Sequence, residues 1–240
     1  MGITKHIPNT ITSMNLLCGA LGVIFAFKGS LDMAFYMMLA GAACDFCDGL
    51  SARILKAYSP MGKELDSLAD LITFGLLPSI MLHRRLIEGG VAGFWAYFPL
   101  IIVLFSALRL AKFNVDERQG ENFLGLPTPA CAMWCGSLIY AADHGVMSMA
   151  NLLHDTHLII ISSVILAILL VSEIPMFSFK FSKDSAYNSL RYCFIGIVAL
   201  FAVATLILKI NWAYIVLLTF TAYILMNLLT ALFSLRISRK

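Results

Sequence analysis

The chain has 240 residues, 60% of them hydrophobic and only 13% charged, with a mean hydropathy of +0.86. A soluble globular domain carries about 25% charged residues, so a water-facing surface could not be covered here, and a soluble enzyme, a nucleic-acid module and a disordered chain are excluded. The formal net charge of +3 is too small to call for a nucleic-acid partner.

What remains is an all-α polytopic membrane bundle, because lipid leaves backbone groups to hydrogen-bond internally and each helical span needs about 20 apolar residues. In chain order the apolar segments predict eight spans: 9–28, 31–55, 64–86, 91–113, 127–145, 157–177, 190–209 and 212–233. Residues 1–10 lack the small-residue exit of a cleaved leader, so the first span is expected to be retained. The breaks are Gly29-Ser30, Ser59-Pro60, Gly89-Gly90 and the polar runs Asp116–Asn122 and Ser182–Ser189. No repeat and no barrel-strand alternation is visible, so 1–240 is expected to be a single domain. Gly19, Gly22, Gly41 and Gly136 predict close helix packing. Trp95, Tyr97, Trp134 and Trp212 are expected to anchor span ends at the membrane interface.

Lysine and arginine set the orientation. With a cytoplasmic N-terminus, that side collects Lys5, Arg53, Lys56, Lys63, Arg109, Lys112, Arg118, Lys180, Lys183, Arg191, Arg236, Arg239 and Lys240. The far side holds Lys28, Arg84, Arg85 and Lys209, so both termini are expected in the cytoplasm, with Arg84-Arg85 as the local exception.

Five of the 14 acidic residues fall between 45 and 70. Asp45, Asp48, Asp66 and Asp70 lie in or at the ends of apolar segments, where a charge costs about 2.5–3.5 kcal/mol at the bilayer centre and marks function by default. Asp45 and Asp48 are three apart, and Asp66 and Asp70 four apart, so each pair shares a helix face. The short connection at 56–62 returns the third span antiparallel to the second and brings the pairs together. Like charges so placed need a counter-charge. An all-oxygen quartet suits two hard divalent ions, Mg²⁺ or Mn²⁺. Gly49 and Ala52 leave room for a bulky anion, and Arg53 offers a fork for phosphate. The combination points to phosphoryl-group chemistry; ion pairs with Arg53 and Lys63 that merely join two helices are the plainer alternative.

The stretch Asp45-x2-Asp48-Gly49-x2-Ala52-Arg53-x8-Gly62-x3-Asp66-x3-Asp70 resembles the signature of the CDP-alcohol phosphatidyltransferase family at all eight fixed positions. Further segments resemble its CDP-diacylglycerol–serine branch: Ile7-Pro8-Asn9 through Asn15 to Gly19, Gly62 through Asp70, Leu108 through Asn114, Gly125 through Pro129 and Glu173 through Lys180. The resemblance implies transfer of a phosphatidyl group from CDP-diacylglycerol to the L-serine hydroxyl, giving phosphatidylserine and CMP by metal-assisted in-line attack. It implies Asp45, Asp48 and Asp66 as metal ligands, with Asp70 completing a second metal site and acting as general base. Gly49, Arg53 and Ser59 would contact the cytidine diphosphate, as would Pro8, Asn9 and Thr12 from the first span. A homodimer is implied as well.

For the acceptor, Arg109 and Lys112 lie where a carboxylate arrives from water, and Glu173 is placed to meet an ammonium. Snorkelling is the alternative for the cations, and an ion pair with Lys180 or Lys183 for Glu173. Glycerol 3-phosphate or an inositol phosphate as acceptor, and a cation or proton-coupled transporter, are the competing functions. Of the cysteines at 18, 44, 47, 131, 135 and 193, Cys44 and Cys47 spell C-x-x-C but interleave with the acids and read as packing residues. His154 and His157 form an H-x-x-H expected to be solvated, and no P-loop or dinucleotide glycine motif occurs.

Overall fold

A computed structural model describes residues 6–116, 123–144, 151, 155–178 and 188–237, with side chains as far as 232. Lys5, Arg118, His154, Lys180, Lys183, Arg239, Lys240 and the side chain of Arg236 lie outside them. Each of the eight predicted segments carries a helical rod, and among the described residues six rods are long and apolar enough to cross a membrane. The molecule is an integral membrane protein.

Helices α1 (His6–Phe27) and α2 (Leu31–Ile54) form a hairpin. Gly29 ends α1 at φ +80°, where a side chain would be strained. The buried face of α1 is Pro8, Thr12, Asn15, Gly19, Gly22 and Ala26, at helical spacing. Its large apolar residues, Met14, Leu17, Leu21 and Ile24, point outward. This is the arrangement expected in lipid, where small and polar groups make the helix contacts.

The third rod is the axis of the bundle. It comprises α3 (Pro60–Asp70), a π-helical turn at Leu71–Leu76 and α4 (Leu77–Glu88). Ser59 caps α3 by accepting from Gly62 N at 3.0 Å, with Pro60 at the first helical position. Pro78 has no N–H to give back to the preceding turn, and the π turn is where the ladder widens to accommodate it. Phe74, Leu77, Met81, Leu82 and Leu86 of this rod are wholly buried.

A 3₁₀ segment at Gly93–Leu100 leads into α5 (Ile101–Val115). Then follow β1 (Phe123–Leu124), α6 (Thr128–His144), α7 (Thr156–Val171), β2 (Pro175–Met176), α8 (Asn188–Leu208) and α9 (Ala213–Ile237). The span expected over 157–177 therefore stops at Val171: Pro175 biases the residue before it away from helix, and the chain turns to pair β2 with β1, Phe123 opposite Met176 and Leu124 opposite Pro175. Gly125, at φ +77°, lets this segment lie against α7, since a Cβ there would sit 2.6 Å from the Leu170 carbonyl oxygen. Such irregular backbone is tolerated because it is covered, Leu126 and Met176 being fully buried.

Trp134 changes role, and the Arg84-Arg85 exception finds its partners. Trp134 sits mid-helix and donates to Thr221 Oγ1 of α9 at 3.0 Å, so it joins two helices rather than anchoring a span end. The Arg84-Arg85 pair is neutralised in place: both arginines pair with Glu88, and Arg85 also binds Asp143 of α6.

Candidate active site

The hairpin turns, the Ser59 cap and the π turn bring four aspartates together at one end of the bundle. Asp45 and Asp48 come from the last turns of α2, Asp66 and Asp70 from α3. Asp45, Asp48 and Asp66 each offer an oxygen, all within 4.8 Å of one another. Asp48 Oδ2 and Asp66 Oδ1 are buried without a hydrogen-bond partner. Three carboxylates facing each other with orphaned oxygens repel, and only oxygen donors are present, so the residues fit a hard divalent cation.

Asp70 stands beside this trio but outside it. It is 9% exposed and close enough to Asp45, Asp66 and Arg109 for direct charge interaction. Its Oδ1 accepts from Asn15 Nδ2 at 3.4 Å.

A cleft of about 200 Å³ opens next to the trio, lined by Pro8, Asn9, Thr12, Asp48, Gly49, Ala52, Ala57, Tyr58, Ser59, Gly62, Lys63 and Asp66. Five of the six residues expected at the nucleotide are here: Pro8, Asn9, Thr12, Gly49 and Ser59. Gly49 faces open space, with no atom within 4 Å of where its Cβ would be. Arg53 is exposed in the last turn of α2 and is not among the lining residues. The cation that does line the cleft is Lys63, whose Nζ donates to the Asn114 carbonyl of α5 at 2.7 Å. Its position one turn before Asp66 was the available signal.

The acceptor candidates separate. Arg109 is 8% exposed, donates to Thr128 Oγ1 at 3.0 Å and lies over the Phe113 ring, 5.6 Å from its centroid. Its Nε is buried without a partner while the guanidinium faces Asp70. Lys112 and Glu173 instead bind each other at 3.1 Å near the surface, so the partner of Glu173 that the structure shows is Lys112. Asn15, buried against Asp70, carries no role in the sequence reading; a lone amide on an otherwise small-residue face was its signal.

Over residues 5–177 the chain matches the family model for CDP-alcohol phosphatidyltransferase. It therefore belongs to that family, a family of transferases. It is similar to a CDP-diacylglycerol–serine O-phosphatidyltransferase of Bacillus subtilis, 32% identical over 189 residues, which is 77% of this chain and 96% of the relative. A Mycobacterium leprae protein of the same name is 30% identical over 227 residues, covering 91% and 73% of the two chains. An archaetidylserine synthase of Methanothermobacter thermautotrophicus is 30% identical over 164 residues, 66% and 68% of the chains.

Proposed function

We propose that this protein transfers the phosphatidyl group of CDP-diacylglycerol to the hydroxyl of L-serine, yielding phosphatidylserine and CMP. The observation that carries the reading is the carboxylate trio: two of its members, Asp48 and Asp66, line a cleft that holds five of the six residues expected at a nucleotide. Serine stands as the acceptor in the names of the first two relatives, and the third is named for a serine-containing product. Of the cations a phosphorylated acceptor would use, Lys112 is paired with Glu173, Arg109 faces Asp70, and Lys180 lies outside the described residues. The transporter alternative falls with family membership.

The donor nucleotide occupies the cleft beside Gly49, with its acyl chains in lipid. Asp45, Asp48 and Asp66 would hold the divalent ions, Mg²⁺ or Mn²⁺, which when bound polarise the phosphate and neutralise the departing CMP. The Arg109 guanidinium, which faces Asp70, receives the serine carboxylate. Asp70 takes the proton of the serine hydroxyl on its carboxylate, and the oxygen attacks the diacylglycerol-linked phosphorus opposite the CMP oxygen. The P–O bond to serine forms as the P–O bond to CMP breaks, and CMP carries away the electron pair. A positioned base of this kind contributes about 10²–10⁴-fold. Asp70, beside Asp45 and Asp66 but outside the trio, would also complete a second ion site.

The cleft end carries Arg53, Lys56, Lys63, Arg109 and Lys112, and the lysine and arginine bias assigns this end and both termini to the cytoplasm. A homodimer goes with the family resemblance. The deciding experiment gives purified protein CDP-diacylglycerol, Mn²⁺ and radiolabelled serine or glycerol 3-phosphate. Label from serine should enter the lipid with stoichiometric CMP release; labelling from glycerol 3-phosphate alone would overturn the acceptor.

A further inference from the structure

We infer that Asn15 is a positioning residue: its side-chain amide, clamped where α1, α2 and the π turn meet, fixes the Asp70 carboxylate. This rests on the proposed role of Asp70 as the base.

Asn15 is wholly buried, and its Nδ2 donates to Asp70 Oδ1 at 3.4 Å. Its main-chain oxygen accepts from Thr73 Oγ1 at 3.0 Å, and Thr73 is also wholly buried. Two glycines close the clamp. A Cβ at Gly41 would lie 2.9 Å from Asn15 Oδ1 and 2.6 Å from Thr73 Cγ2; one at Gly19 would lie 2.3 Å from Thr73 Oγ1. Asn15 and Thr73 thus fill the space that a side chain at Gly41 or Gly19 would need, which packs the amide directly against the α2 backbone. The π turn that carries Thr73 starts at the residue after Asp70, so base, clamp and widened turn are contiguous.

The energetics exclude simple packing as the reason for an amide here. Asn15 Oδ1 is buried with no hydrogen-bond partner, a state that costs free energy and that an aliphatic side chain of like shape would avoid. The amide's compensating act is its bond to Asp70. Turning it over would set its oxygen against a carboxylate oxygen, so its orientation is fixed as donor. A donor on Oδ1 restricts rotation of the carboxylate and holds it in one proton-accepting geometry, which saves ordering it at each turnover.

The test uses the full chain in detergent micelles. Asn15→Ala removes the donor and the orphaned oxygen without adding bulk, and Asn15→Leu removes them while adding volume, so the two bracket the change in packing. In both, kcat for CMP release should fall about 10- to 100-fold, the usual cost of losing an outer-shell partner, with KM for CDP-diacylglycerol and serine and CDP affinity held. Thr73→Val should show a smaller loss of kcat in the same sense. Wild-type kcat in Asn15→Ala overturns the inference. So does a loss that appears in KM or CDP affinity instead of kcat, or failure of both Asn15 variants to bind CDP, since the amide is then structural. A wild-type chain that releases no CMP sinks the functional reading instead, and transfer to another acceptor leaves this test intact.

Discussion

Asp70→Asn is the sharpest test of the division between binding and chemistry. The replacement keeps the volume of the side chain and still offers an acceptor to the Asn15 amide, but it cannot take a proton. Losing a positioned base removes about 10²–10⁴-fold in rate, which is about 3–5 kcal/mol on the barrier. Binding should survive, because Asp70 is not among the residues lining the cleft. Asp48→Asn makes the contrast: Asp48 lines the cleft and supplies one oxygen of the trio, so nucleotide affinity and turnover should fall together. The assay is serine-dependent CMP release from CDP-diacylglycerol in micelles, with CDP binding followed by calorimetry on the same preparations. Normal turnover in Asp70→Asn would refute the base assignment. Loss of CDP binding in that variant would move Asp70 into the nucleotide site.

Gly49→Leu should leave the fold intact, since nothing lies within 4 Å of the added Cβ, while raising KM for CDP-diacylglycerol by filling the cleft; a wild-type KM would move the donor elsewhere. Arg109→Ala should raise KM for serine about ten-fold or more, a hydrogen bond to a charged group being worth about 1.5–3 kcal/mol, with Arg109→Lys recovering part of it. Unchanged serine affinity removes Arg109 from the acceptor site. Gly19→Ala should lower stability by about 1–3 kcal/mol as an overpacked contact, because its Cβ would fall 2.9 Å from the Thr73 Cα, which cannot move without the rod. Thermal unfolding in detergent reads this, and an unshifted midpoint would show that the α1 contact is looser than described.

The aspartates were legible because helical spacing needs nothing beyond the sequence: three and four residues apart means one face, and a short turn returns the next face to it. Pro8, Asn9, Thr12, Gly49 and Ser59 entered by resemblance and line one cleft. What stayed hidden depends on contacts between distant residues or on very short elements. The Lys112–Glu173 pair spans 61 positions, and no local pattern announces it. A two-residue strand carries no alternation to detect, so Pro175 was the sole hint that the span begun at 157 would stop early. The π turn had Pro78 as its local mark, and a single proline in an apolar segment does not say how the ladder will widen around it. Arg84 and Arg85 opposed the charge bias because a count of cations ignores the acids bound to them.

The cleft takes every wall residue from positions 8–66, whereas the cation facing Asp70 comes from α5 and its support, Thr128, from α6. If the cleft takes the nucleotide and Arg109 the acceptor, as proposed, leaving-group handling and head-group choice are written in separate stretches of the polypeptide. Evolution can retune the second by drifting beyond position 100 while the first stays untouched, and a chimera that swaps the later helices is the natural way to trade one polar head for another.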